Sequence, residues 1–322
     1  MNKIAFLLAA ALSAVPVSGL AQEQSYPNKP IKIIVPYAVG GGTDIAARLI
    51  GARIQEELGQ SVIIENKPGA SGSIGTDIVA KAAPDGYVLS MASGSTMTIN
   101  PYMIKVPYDP VRDFAPVGMV TATVLALVVH PSVQARSVNE LIAYLKMNPD
   151  GYSYSSPGSG TPHYLTAELF KSLTGTKMTH VPYKGSGQAL NDLIGGQVQL
   201  AFDTISVVLP HVKAGRLRMI ATTDAKRTAD LPEVPTVAES GLPGFESFSW
   251  YGVVAPAGTP KPIIDKLNAA IRKGLENPDV LKRLDDLGAT PVSGTPKQMG
   301  EFIHTETLKW VKVIKELGAS VK

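Results

Sequence analysis

A glycine turn set between an apolar run and a helical repeat restricts this chain more than any other stretch. Ile31 to Val35 reads as a short buried strand, and Pro36-Tyr37-Ala38-Val39 leads into Gly40-Gly41-Gly42. A helix then opens with Thr43 or Asp44 at its cap. Apolar residues recur at Ala46, Leu49, Ile50, Ile54 and Leu58, and Gly59 reads as the stop. A strand, a glycine loop and a helix start in succession aim free backbone N–H groups at one point, and the helix dipole makes that point favour an anion. The turn lacks the Gly-Lys-Ser/Thr ending of a phosphate loop. Ile45 stands where the dinucleotide fingerprint needs its third glycine. Asp44 beside the turn argues against a highly charged phosphate. A carboxylate is the better match, and a tight βα turn that binds nothing is the alternative.

The same rhythm continues. Ser61 to Glu65 reads as a second buried strand, and Asn66 to Gly72 as a loop. Ile74 to Ala83 reads as a helix, and Tyr87 to Ser90 as a strand delivering the polar loop Ser93-Gly94-Ser95-Thr96. Strands separated by helices imply a parallel sheet with right-handed crossovers. Ligands of such sheets sit beyond the strand C-termini, so the loops at Gly40–Thr43 and Ser93–Thr96 are expected on one edge. Two apolar strands, Phe114 to Thr123 and Val124 to Val129, then lead out of this unit.

Ser137 with Glu140 forms a capping box for a helix to about Met147. Tyr152 to Ser155 is a strand, and Ser156-Pro157-Gly158-Ser159-Gly160 follows it. Thr161 is the N-cap of the next helix, with Pro162 at its first position and His163 in its first turn. This is a second anion-facing opening, again without lysine. Further strands at Met178 to Val181, Gln199 to Phe202 and Leu217 to Thr222 alternate with helices at Gln188 to Ile194 and Val207 to Ala214. Lys184-Gly185-Ser186-Gly187 and Asp203-Thr204 follow strand ends. The proline-rich run Leu231 to Gly244 is a surface loop, and Ser247 to Val254 is a strand returning to the first unit. The tail is helical, from Pro260 to Leu275 and from the capping box at Thr295 to Leu317. Two α/β units joined by more than one crossing suggest a hinged clam. The boundaries read as 22–125 with 245–322 for the first domain and 126–244 for the inserted second.

Lys3, the apolar run Ile4 to Val17 and the small residues Gly19 and Ala21 make a secretory signal peptide over 1–21, with a mature start near Gln22. The run is short for a membrane span. The chain has no cysteine, which excludes disulfides and thiolate sites and is compatible with the periplasm. The formal charge is +3, with basic residues scattered, which gives no case for nucleic acid.

Catalytic constellations are lacking. None of the five histidines has metal-pair spacing. Ser159 has Gly158 before it, but Pro157 occupies the place of the first glycine in a nucleophile elbow. No catalytic residue, metal or cofactor is expected. An enzyme using a bare serine or carboxylate is the weaker alternative. Individual residues keep two readings. Asp44 caps its helix or holds a ligand amine; His163 packs or touches the ligand; Asp203 stabilises its turn or faces the cleft. Tyr37 walls the site or merely packs, and Trp250 and Tyr251 read as core.

The motifs in order are Tyr26-Pro27-Asn28-Lys29-Pro30, Gly41-Gly42-Thr43-Asp44, Glu65-Asn66-Lys67-Pro68-Gly69-Ala70 and Ala83-Pro84-Asp85-Gly86-Tyr87. They continue through Ser156-Pro157-Gly158-Ser159-Gly160 with His163, Val181-Pro182-Tyr183-Lys184-Gly185, Leu231-Pro232-Glu233-Val234-Pro235-Thr236 and Ala255-Pro256-Ala257-Gly258-Thr259-Pro260. The set resembles the Bug/TctC family of periplasmic solute-binding proteins across essentially the whole mature chain. The resemblance implies a type II periplasmic-binding-protein fold, α/β in class, with two domains that close like a Venus flytrap. It implies a small organic carboxylate as ligand and the membrane subunits of a tripartite tricarboxylate transporter as partner, with the receptor acting as a monomer.

Carried over, the ligand-binding residues of the first domain are Tyr37, Gly41, Gly42, Thr43 and Asp44, with Ser93, Ser95 and Thr96. Those of the second are Ser156, Gly158, Ser159, Gly160, Thr161 and His163, with Lys184, Gly185 and Asp203. The chain departs from the family at Ala38-Val39, where many relatives carry prolines, and at Met97, where many carry histidine. A receptor feeding a sensor kinase is the alternative within the same fold.

Overall fold

The computed structural model describes residues 26–228 and 231–319. The export segment expected over 1–21 lies outside the described residues. The chain starts with β1 (Ile31–Val35), α1 (Gly42–Leu58), β2 (Val62–Asn66), α2 (Ser73–Ala80), β3 (Val88–Ser93) and the short α3 (Asn100–Met103). A 16-residue strand, β4 (Phe114–Val129), leads to α4 (Val138–Met147), β5 (Ser153–Ser156) and α5 (Pro162–Thr174). Next come β6 (Thr179–Pro182), α6 (Ser186–Ile194), β7 (Leu200–Thr204), α7 (Ile205–Lys213) and β8 (Arg218–Thr222). The end of the chain supplies β9 (Phe248–Pro256), α8 (Lys261–Leu275), α9 (Pro278–Asp286), β10 (Thr290–Pro291) and α10 (Pro296–Glu316).

β1 pairs in parallel with β2 and β3, as helical crossovers require. β3 runs antiparallel to β9, and β9 antiparallel to β4. Beyond this, β4 pairs antiparallel with β7 and β8, and β5 runs parallel to β6 and β7. β4 is thus shared by two α/β units: it pairs with β9 through Val124 and with β7 from Leu125 onward.

Alternation along the strands builds the layers. On β1, Ile31, Ile33 and Val35 pack under α1 and α8, while Ile34 points to the other face with Trp250, Met299 and Ile303. On β4, Leu125, Leu127 and Val129 join Leu141 and Phe170, whereas Ala126 and Val128 meet α6 and α7. Each large aliphatic side chain buried in this way stabilises the fold by about 1.5–3 kcal/mol.

The two crossings between the units meet at one residue. Thr223 N donates to Leu125 O (2.8 Å), and Thr223 Oγ1 accepts from Leu125 N (3.0 Å). The same hydroxyl reaches Ser247 O (2.5 Å), and Ser247 N donates to Thr223 O (3.0 Å). Thr223 is fully buried, so these bonds are shielded from water.

Local chemistry explains the helix ends. Thr161 accepts from Tyr164 N at the start of α5, and Thr295 forms both halves of a capping box with Gln298 on α10. Ser137 accepts from Glu140 N, but the Glu140 carboxylate takes the Arg136 amide instead, so that box is displaced by one residue.

Several sequence expectations need correction. β2 is only half-buried, because it is the edge of the sheet. The two strands expected over 114–129 are one. Ser93 ends β3 rather than opening a loop, and Ser95–Ile99 wind into a wide helical turn leading to α3. The cap of α1 is Gly41, with no side-chain hydrogen bond, rather than Thr43 or Asp44. Asp203 and Thr204 lie within β7, not past its end.

Candidate functional site

The first opening is pure backbone. Gly40 takes φ +88°, which favours glycine, and lets the chain turn from β1 into α1. The first-turn amides at Gly42, Thr43 and Asp44 have no intrahelical carbonyl to bond. Gly42 has no room for a side chain, since a Cβ there would overlap the Tyr251 ring.

Asp44 is turned inward. Its Oδ2 accepts from Gly40 N (3.1 Å) and Arg48 Nε (3.0 Å), and its Oδ1 accepts from Asn66 Nδ2 (3.0 Å). Burial works to raise this carboxyl, but the hydrogen bonds from Arg48, Gly40 N–H and Asn66 outweigh it and hold it below the ordinary carboxylate range. The charge of Asp44 is spent on shaping the glycine turn, which also joins Asn66 Nδ2 to Tyr37 O (3.0 Å).

The second opening is built from side chains. Thr161 Oγ1 donates to Gly158 O (2.7 Å), and Ser156 Oγ accepts from Gly158 N (3.1 Å). Behind Ser156 stands His180, its Nε2 2.7 Å from the hydroxyl and its ring stacked on Tyr154. Burial pushes His180 down to about 4, so it is neutral at ordinary pH.

The two openings face one another and are shut. Ala38 N donates to Lys184 O (3.1 Å), and Gly160 N to Ser71 Oγ (3.4 Å), both across the cleft. A Cβ at Gly160 would overlap the Asn100 side chain, and one at Gly187 would overlap Val39 O. Between them remains a cavity of about 20 Å³, room for one water.

Tyr37, Gly41, Gly42 and Thr43 line one side of it with Ser93 and Ser95. Thr161 and His163 line the other, together with Ser186. Eight of the expected site residues therefore converge on one cavity. Thr96 is buried beneath it, with Oγ1 3.2 Å from Ser93 N. Ser156, Gly158, Ser159 and Gly160 form the loop behind the second opening. Lys184 and Gly185 meet Ala38 at the cleft edge and do not reach the cavity.

Asp203 lies one layer back. It accepts from Ser186 Oγ (3.0 Å) and Thr204 N (2.7 Å). His163 Nε2 is 3.3 Å from Asp203 Oδ1 but poorly aligned, and both ring nitrogens are buried without a hydrogen-bond partner among the described residues. Burial raises the Tyr37 phenol to about 12, and burial with the nearby Asp203 charge raises Tyr251 as well. Both tyrosines stay neutral donors. Among the described residues no lysine or arginine lines the cavity. No cluster of three or more His, Cys, Asp or Glu suited to a metal occurs among the described residues.

Sequence reasoning missed Ser249 and Tyr251, which point from β9 into the cavity. It also missed Ser71 and Asn100. Ser71 O accepts from Tyr37 Oη (2.9 Å) and Asn100 Nδ2 (2.6 Å). Ala70 and Ser71 both adopt left-handed backbone, at φ +47° and +52°, a strain typical of functional loops. The turn-rich stretch Pro68 to Gly72 was the available signal.

Comparison with known proteins places this geometry in a family. The profile described as Tripartite tricarboxylate transporter family receptor, TctC, matches residues 46–319. Protein BugT of Bordetella pertussis is 39% identical over 321 residues, covering 99% of this chain and 97% of its own. Rpa4515 of R. palustris, solved with adipate, superposes with a TM-score of 0.89 at 38% identity, over 91% of this chain and 98% of that one. MatC (Rpa3494) from Rhodopseudomonas palustris, with bound malate, gives 0.86 at 34% identity, over 90% and 100%. Two α/β units clamped on a cavity between helix starts thus have a known counterpart, and the chain belongs to the TctC, or Bug, family of periplasmic solute-binding receptors.

Proposed function

We propose that this receptor captures a small organic carboxylate between its two domains in the periplasm and delivers it to the membrane subunits of a tripartite tricarboxylate transporter. One observation carries the reading: two helix N-termini from different domains converge on a cavity lined by hydroxyls and amides, with no lysine or arginine among the described residues. Such a surface suits an anion held by hydrogen bonds rather than by an ion pair. The adipate and malate bound by the two relatives are of the same chemical class.

In this reading, residues 22–125 with 245–322 form one domain and 126–244 the other. The open form admits the acid against the amides of Gly42, Thr43 and Asp44. Tyr37, Thr43, Ser93 and Ser95 donate or accept from the first domain, and Thr161, His163 and Ser186 from the second. Gly158, Ser159 and Gly160 shape the second opening, Ser156 braces it, and Lys184 with Gly185 seals the edge. Asp44 and Asp203 act as positioning groups rather than ligand contacts. Closing excludes water, so each hydrogen bond regained across the cleft favours the shut form by its differential affinity. The receptor works as a single chain and catalyses nothing.

The test is a melting screen of the mature chain with malate, adipate, other di- and tricarboxylates, acidic amino acids and aromatic acids. At a hundredfold excess over Kd, a true ligand stabilises by about 2.7 kcal/mol and raises Tm by several degrees. Failure of every acid to shift the melt overturns the reading.

A further inference from the structure

A second concavity, of about 1160 Å³, lies behind the hinge strands. Successive side chains of a strand point to opposite faces. On β9, Phe248 lines this groove while Ser249 lines the cavity. The groove and the cleft therefore share one wall and occupy its two sides. One flank of the groove is α7, through Leu209 and Lys213, and the other is α9, through Leu281 and Asp285. These helices flank the groove from the two units and already meet at its inner end, where Gly288 packs against Ile205 and Leu209. In this shut form the groove is open to solvent.

Its chemistry is specific. Phe248 and Phe302 are half-buried on the floor, and Leu281 is 40% exposed at the edge. The rim carries Asp224, Glu246, Asp285 and Asp286 against Lys213 and Lys282. Lys282 is already held by Asp286 at 3.0 Å. Among the described residues the unpaired rim is thus Asp224, Glu246 and Asp285 against Lys213, with Lys309 Nζ 4.7 Å over the Phe248 ring, a net acidic surface in a chain whose formal charge is +3. A two-fold dimer through this groove would set acid against acid, which disfavours a second copy as occupant.

We propose that the groove docks a membrane subunit of the transporter, through a segment carrying an apolar anchor flanked by lysine or arginine, and does so while the cleft is shut. This rests on the delivery reading above. An occupant shaped to the groove of this shut form favours that form, and by reciprocity the loaded receptor binds that occupant more tightly than the empty one. The membrane partner thereby distinguishes loaded from empty receptor without touching the ligand.

The experiment uses the full chain in cells expressing epitope-tagged membrane subunits, after the melting screen has shown whether malate or adipate stabilises it. A photo-crosslinking amino acid replaces Leu281 in the groove or Val39 at the cleft edge, which is 61% exposed. The expected result is a light-dependent adduct between position 281 and a membrane subunit, strengthened at least threefold by the stabilising acid. Adducts from position 39 alone, adducts joining two copies of this chain, or none from 281 overturn the proposal.

In parallel, Glu246→Lys with Asp285→Lys is expected to lower uptake at least tenfold while the purified protein keeps its acid affinity within twofold. The neutral pair Glu246→Gln with Asp285→Asn serves if the reversed pair melts early, with at least a threefold loss expected. Unchanged uptake in a folded variant overturns the groove and leaves capture in the cleft standing. Absence of any acid binding in the unaltered chain counts against the capture reading itself.

Discussion

The two helix openings that meet across the cleft reach the same shape by opposite means. The opening of α1 has no side chain at its cap, and its turn is braced from behind by a buried, ionised carboxylate, Asp44. The opening of α5 is capped by the Thr161 hydroxyl and braced by Ser156 and a neutral His180. A carboxylate beside a cavity proposed to hold an anion is accommodated because Arg48, Asn66 and Gly40 hydrogen-bond its charge. The first opening therefore depends on keeping a charge, and the second on keeping one away.

The largest effect is expected where the openings touch. In Gly160→Val the new side chain meets Asn100 across the cleft and blocks closure. Affinity for the stabilising acid should fall about 100-fold or more, while the unliganded melt moves by only a few degrees. Titration calorimetry checks this, and unchanged affinity would show that the halves need not meet.

Next comes the charge of the first opening. Asp44→Ala strips acceptors from Gly40, Asn66 and Arg48 and should cost about 2–4 kcal/mol of stability, measured by urea denaturation. Because the folded carboxyl sits below its ordinary value, its contribution is present above about pH 4 and disappears as pH falls through the lower folded value. A variant as stable as the parent would mean that the glycine turn holds itself.

The smallest effect belongs to the second opening. His180 titrates near 4 in the fold and near 6.5 when unfolded, so the unfolded chain takes up the proton first. Stability is full above pH 6.5 and declines as pH falls toward 4, by about 1–2 kcal/mol after solvent screening is allowed for. In His180→Asn that slope should flatten between pH 4 and 6.5. A slope left intact would remove His180 from the account.

Much of this was legible because local chemistry decided it. Thr161-Pro162 marks a helix start whatever surrounds it, and so does Thr295-Pro296 with Gln298. The βα alternation follows from the spacing of apolar residues, and the glycine turns follow from the backbone they must adopt. Other features depend on partners far away in sequence. An apolar run such as Val62 to Ile64 does not say that it will lie at a sheet edge. Tyr251 looks like a core residue, and Ser249 like any other strand position, until β9 is placed between the cleft and the rear groove. Ser71 is one polar residue in a turn until Gly160 approaches it. Thr43 and Asp44 carry capping side chains, yet the extended conformation fell one step earlier, on Gly41, which left Asp44 free for Arg48.

The knot at Thr223 has a practical consequence. Both polypeptide links between the halves are stapled to a single threonine, which predicts one swivel and little freedom to slide or shear. Distances measured between almost any two points on opposite halves should then change in concert, as readouts of the same coordinate. With no cysteine anywhere in the sequence, a pair of introduced thiols can be labelled without ambiguity. A single dye pair would suffice to follow this receptor from empty to filled.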